Sequence, residues 1–173
     1  MPETASLSSQ RIEVQEDDPI ELLYSRGVTD GLPVVPPTEA RVKRMLAATD
    51  RDSQELIGLI GPNYGRATVE KIAVNAVMAG CHPSYFSTVL AGIEAMCEEQ
   101  FCIHGINVTT FSASPMAIIN GPIRKQIGVN CGHNALGHGF RANATIGRTV
   151  RLCIMNIGGA KPHQITKATM GHP

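Results

Sequence analysis

The stretch from Thr68 to Glu98 constrains the fold more than any other part of the chain. Thr68 is a natural N-cap, Ile72, Ala73, Ala76 and Val77 recur at helical spacing, and Gly80 can end the run, so a helix is expected over Val69–Ala79. His82-Pro83 then opens a second helix, roughly Ser84–Glu98, rich in Val, Leu, Ala, Ile and Met. Two helices joined by so few residues make an antiparallel hairpin. Its apolar faces must be covered by the rest of the chain.

The flanking segments can supply that cover. Asp17-Asp18-Pro19 reads as a helix start, Ile20, Leu22, Leu23 and Tyr24 fill a short helix, and Gly27 can end it. GVTDGLPVVPP (27–37) is an extended, proline-punctuated connection. Thr38 caps a helix from Glu39 to about Ala48, with Val42, Met45 and Leu46 on one face. Leu56–Ile60 is a short apolar run between turn residues and reads as a buried strand, followed by a loop over 61–67. Cys102–Phe111 and Met116–Ile119 read as further strands, and Asn143–Ile157 as a long helix stopped by Gly158-Gly159. The expected class is α/β, a two-layer domain with a helical hairpin and a small mixed sheet. It divides into a flexible tail (1–15), an N-terminal helical and extended segment packing on the main domain (16–60), and the α/β main domain (61–173). A chain of 173 residues can bury a sizeable core and is too short for a barrel enzyme.

Charge is distributed unevenly. Residues 1–60 carry eleven acids and six bases, and residues 61–173 carry four acids and nine bases, so the formal net charge of zero conceals a balance of −5 against +5. After Glu99 there are seven Lys or Arg, five of the six His, and no Asp or Glu. That half cannot supply a carboxylate metal cluster or a paired-carboxylate acid/base system. It can attract a small anionic substrate or an acidic partner surface, or be covered by the chain's own acidic first third. Nucleic acid and membrane are not expected as partners. The net charge gives no pull toward either, aromatics are 4% with no Trp, and no apolar run approaches the ~18 residues of a membrane span. The opening MPETASLSSQ has neither a basic start nor an apolar stretch, which points to the cytoplasm and to reduced thiols.

The chemistry-bearing residues concentrate in Asn130–Arg151, NCGHNALGHGFRANATIGRTVR. A glycine-rich loop here runs into a helix, with Asn143 and Thr145 as caps and with Arg141, Arg148 and Arg151 as donors able to converge on one anion. GHGFRA is not the dinucleotide fingerprint. Asn120, Arg124 and Lys125, after a candidate strand, can hold a second anionic group or be ordinary surface residues. Cys131 and His133 share the glycine loop, and Cys102 and His104 share one face of a candidate strand. A thiol beside a histidine and a basic cluster suits nucleophilic or redox chemistry, with His133 or His104 as base. Cys97 and Cys153 fall in helix-like apolar stretches as core filler. An alternative is a zinc or copper site at Cys131, His133 and His138, although C-x-H-x4-H matches no strong metal pattern. Ser112 and Ser114 lack a G-x-S-x-G elbow, so a Ser-His-acid triad is weakly indicated.

The blocks DGLPVVPPTEARV, TVEKIAVNAVMAGCHP, INVTTF, IINGPIRKQIG and GFRANATIGRTVRLCIMNIGGAKP, over about residues 28–173, resemble a bacterial family of mostly unassigned function. That family accompanies proteins carrying a Cys-Gly-Ser-Cys or selenocysteine-Gly-Ser-Cys motif. The resemblance implies thiol or selenol redox chemistry in the companion, whose motif is absent from this chain. Family members continue past the Gly-His-Pro at the end of this sequence, which implies a split protein completed by a second subunit. Residues 158–173, without apolar periodicity, are then expected to order against that subunit. Three functional readings follow: a subunit of a heteromeric enzyme acting on a small anionic substrate, with thiol/His chemistry shared with a partner; a non-catalytic scaffolding subunit docking an acidic partner; and a metal-dependent hydrolase or lyase.

Overall fold

A computed structural model describes residues 7–13 and 18–167. Most of the tail expected over 1–15, Asp17, and the end of the 158–173 segment lie outside the described residues. Seven helices and one two-stranded sheet are present among them: α1 (Pro19–Ser25), α2 (Glu39–Leu46), β1 (Leu56–Ile60), β2 (Gly65–Thr68), α3 (Val69–Ala79), α4 (Phe86–Cys97), α5 (Ile103–Val108), α6 (Ile123–Gln126) and α7 (Arg141–Asn156). The class is mixed α/β with a small sheet, as expected, but the sheet is purely antiparallel and has only these two strands.

The capped helices follow their sequence signals closely. Asp18 accepts from the N–H groups of Ile20 and Glu21 at 2.9 and 3.3 Å, and Pro19 occupies the first turn of α1. Thr68 Oγ1 accepts from Lys71 N at 3.4 Å, and Gly80 closes α3 in the left-handed region at φ +86°. His82 and a 3₁₀ turn over Pro83–Tyr85 lead into α4 and complete the hairpin. Helix α3 is the centre of the domain and packs against α2, α4 and α7. Ile72, Ala73 and Ala76 on α3, Phe86, Val89 and Ile93 on α4, and Cys153 on α7 are fully buried in one core, which Val42 and Met45 of α2 also join.

Five sequence expectations are corrected. Cys102–Phe111 is not a strand. Cys102 takes a left-handed conformation (φ 52°) and α5 follows, burying Ile103 and Asn107 one turn apart. Met116–Ile119 is extended but has no ladder partner among the described residues, and Met116 and Ile118 are exposed. The loop placed over 61–67 contains β2, which pairs with β1 in a hairpin. Strand β1 buries only Ile60, because one face of a two-stranded ribbon has nothing to cover it. Residues 7–13, expected in a flexible tail, are held by the rest of the chain: Ser8 and Ser9 donate to Glu70 of the main domain, and Arg11 pairs with Glu39 of α2 at 3.2 Å.

Two glycines test this packing with opposite signs. A Cβ at Gly65 would run into the backbone carbonyl of Ile157 at the end of α7, whereas one at Gly92, inside α4, meets nothing within 4 Å. Gly65→Ala is expected to cost about 2–3 kcal/mol through forced separation of β2 from α7. Gly92→Ala should instead stabilise by roughly 0.5–1 kcal/mol, since alanine is the better helix former. Urea unfolding of both variants checks the pair of signs.

Candidate functional site

The 130–139 loop is shaped by two asparagines. Asn143, on the first turn of α7, accepts from Asn130 N–H at 2.9 Å and donates from Nδ2 to the carbonyls of Asn130 and Ala135, both at 2.9 Å. Asn130 in turn donates to the His133 carbonyl at 2.7 Å and accepts from Gly132 N–H at 3.0 Å. Asn134, at φ 66°, donates to the His138 carbonyl at 3.3 Å. Helix α7 itself begins at Arg141 after Phe140, without a side-chain cap, so Asn143 and Thr145 are not its caps. Thr145 donates to the Arg141 carbonyl at 2.8 Å, and the Ala144 N–H is already bonded to Phe140. Asn143 therefore positions the loop.

This arrangement presents Cys131 on an exposed loop, where the Arg124 guanidinium from α6 donates to its sulfur. Lys125 is exposed beside Arg124 on α6, and His133 and His138 are exposed on the loop. Asn120 lies exposed before the turn at Gly121. Cys102 and His104 are exposed on a different element: the His104 ring stacks on Tyr64, with centroids 5.9 Å apart and planes 12° from parallel. Because α5 is a helix, residues 102 and 104 do not share a face, and among the described residues no hydrogen bond or ring contact joins this pair to Cys131 and His133. Nor do the described residues contain any group of three His, Cys, Asp or Glu placed to hold a metal ion, so Cys131, His133 and His138 are not gathered into one.

Of the other three cysteines, Cys81 and Cys153 are buried and Cys97 is half-buried. Burial pushes the Cys153 and Cys81 thiols up, and burial with the Glu98 charge does the same at Cys97. Cys81 also shares a hydrogen bond with Thr149 at 3.1 Å. The expectation of core filler at Cys97 and Cys153 agrees with these positions.

The arginines of α7 have three different environments. Arg141 donates from Nε and Nη2 to the Gly80 carbonyl at 2.9 and 2.8 Å, tying α7 to the end of α3. Arg148 forms a bidentate pair with Asp30 at 2.8 Å on both oxygens and also donates to the Pro33 carbonyl at 2.9 Å. Arg151 is 8% exposed, and its Nη1 has no hydrogen-bond partner. Arg148, Arg151 and Asn143 line a cavity of about 500 Å³ with Leu136, Pro115 and Ile154. Arg148 and Asn143 were legible as candidates from sequence. The commitment of Arg148 to Asp30 was not, because 118 residues separate the partners.

No family model, curated protein or solved structure matches the chain. Among the described residues, no helix is long and apolar enough to cross a membrane.

Asp30 is the acid that holds Arg148. Burial raises its carboxyl, but hydrogen bonds and the charge of Arg148 outweigh this and hold it below the ordinary value of 3.8. A depressed folded value means that its contribution is complete above the unfolded value and is lost as pH falls through the folded one. Asp30→Asn should therefore cost about 3–5 kcal/mol at neutral pH, by leaving Arg148 unpaired, and should flatten the stability–pH curve below about pH 4. Denaturant midpoints from pH 2 to 8 measure both effects.

Proposed function

We propose that this chain is a subunit of a bacterial enzyme that acts on a small anionic substrate through the Cys131 thiol, with a second protein chain completing the active site. The observation that carries the reading is the contact of Arg124 with the exposed Cys131 sulfur, on a loop that Asn130 and Asn143 hold in place. The guanidinium supplies the positive charge that an anionic sulfur requires, and the loop leaves the sulfur open to a reactant. Arg124, Lys125 and His133 give the surroundings a basic character suited to an anion, and His133 is the candidate base.

The resemblance to a family that accompanies Cys-Gly-Ser-Cys and selenocysteine-Gly-Ser-Cys proteins favours redox or nucleophilic thiol chemistry and a separate second subunit. Exposed Phe111, Met116 and Ile118 support the subunit reading, because large apolar side chains in water are what a partner surface covers. All five cysteines are free, in keeping with a cytoplasmic setting.

Limited alkylation with iodoacetamide followed by peptide mapping tests the proposal. Cys131 should label before Cys81, Cys97 and Cys153, and Arg124→Ala should slow its labelling by about tenfold, the equivalent of one charge-assisted hydrogen bond. Earlier labelling of the buried thiols, or a rate indifferent to Arg124, would overturn it.

A further inference from the structure

We infer that the cavity between α4, α7 and the extended 115–119 segment binds an uncharged, apolar small molecule whose hydroxyl or carbonyl group ends on Ser87 and Thr88. The cavity has a volume of about 510 Å³, within the range of small-molecule sites. None of its lining residues belongs to the 130–139 loop, so the site is separate from Cys131 and goes beyond the function proposed for that thiol.

The floor of the cavity is part of the core: Val89 and Met96 of α4 and Ile146 of α7 are buried. Exposed Met116 and Ile118 stand on the segment that forms its third side. Two glycines, Gly92 inside α4 and Gly147 inside α7, line it from different helices. Glycine weakens a helix interior, and it is at home where the backbone is left-handed or another chain segment comes close. Neither condition holds here, since a Cβ at either position would meet nothing beyond its own helix within 4 Å. Gly65 shows the contrast, with the Ile157 carbonyl pressed against it. At Gly92 and Gly147 the two helices leave a space that the chain itself does not fill.

The chemistry of the walls selects the ligand. No Asp, Glu, Lys, Arg or His lines the cavity. A charged group drawn into it would lose its water without gaining a counter-charge, so the charge complement of this lining is a neutral molecule. Ser87 and Thr88 are its only polar side chains. Both lie in the first turn of α4, and among the described residues neither hydroxyl makes a hydrogen bond. A hydroxyl both donates and accepts, and so can serve a carbonyl or another hydroxyl at one end of an apolar body.

Fluorescence titration of the full chain with N-phenyl-1-naphthylamine, an uncharged apolar probe, tests the inference. The probe should saturate a single site, and 1-octanol should displace it at lower concentration than octanoate or octylammonium. Gly92→Leu fills the cavity and should weaken the probe at least about tenfold. Gly92→Ala, which strengthens α4, should weaken it by a smaller factor and keeps the test decisive if the leucine variant does not fold. Ser87→Ala with Thr88→Val should weaken octanol severalfold and leave the probe unchanged. Phe111→Ser, at an exposed apolar side chain outside the lining, should change neither. Probe binding untouched by the Gly92 variants, charged octyl compounds equal to octanol, octanol indifferent to Ser87 and Thr88, or a loss in Phe111→Ser would each overturn the inference. So would light scattering that shows a dimer dissociated by Ile118→Asp, because a second copy would then fill the cavity.

Discussion

Helix α3 is buried on nearly every side, and the rest of the domain is arranged to make that possible. Its small residues, Ala73, Ala76 and Ala79, let α2, α4 and α7 approach closely. Full burial also traps polar side chains that a half-exposed helix would turn to water. Glu70 is completely buried and receives the backbone N–H groups of Ser8 and Ser9, their hydroxyls, and Gln54 Nε2 at 2.8 Å. Asn75 donates to the Lys71 carbonyl and accepts from Asn156 at 2.9 Å, while Asn156 also reaches the Val28 carbonyl. Satisfying the polar atoms of one helix thus fixes the N-terminal strap, the 27–37 connection and the end of α7.

The same economy governs the charges. The acidic first third does fold over the basic remainder, and among the described residues Asp30 on Arg148 is the ion pair in which one of its acids meets a base of that half. Glu94 of the basic half is engaged by Arg51 of the acidic one, at 2.5 Å. These contacts leave Arg124 on a thiol and Arg151 Nη1 on no acceptor. No Asp or Glu follows Glu99 in the sequence, so the acidic side chains that pair with bases of this half come from the first hundred residues.

What was readable in the sequence follows from how local each determinant is. Thr68, Gly80, Asp18 and Pro19 act within one turn of their own helices, so α1 and α3 were placed closely. Helix α5 was not, because β-branched Ile103, Ile106, Val108 and Thr109 favour a strand locally, whereas burying Ile103 and Asn107 together, one turn apart, requires a helix. Asn107 donates to the Gly61 carbonyl at 3.4 Å, a contact no local rule contains. The spacing of Ile103 and Ile106 was the one available helical signal. Strand β2 was hidden inside GPNYGRA because its pairing, from Ile60–Gly65 to Leu56–Thr68, is fixed by a tight turn rather than by an apolar run. In the candidate site, the residue types of the 130–151 segment were legible and their allegiances were not. Arginines 141, 148 and 151 look equivalent in sequence, and only the positions of Gly80 and Asp30 separate them.

Asn143 is what joins the 130–139 loop to α7. Its amide holds the residue immediately before Cys131 and the carbonyl of Ala135, just before Leu136, while its own backbone belongs to the helix that carries Arg148 and Arg151. Loop and helix are consequently registered to each other through three hydrogen bonds from one side chain. Asparagine can do this because it offers two donors and an acceptor in one plane; aspartate would lose both donors and face the Asn130 and Ala135 carbonyls with a charge. A loop held only by its glycines would sample many positions relative to the helix. The glycines let the chain turn, and the asparagines choose which turn is kept.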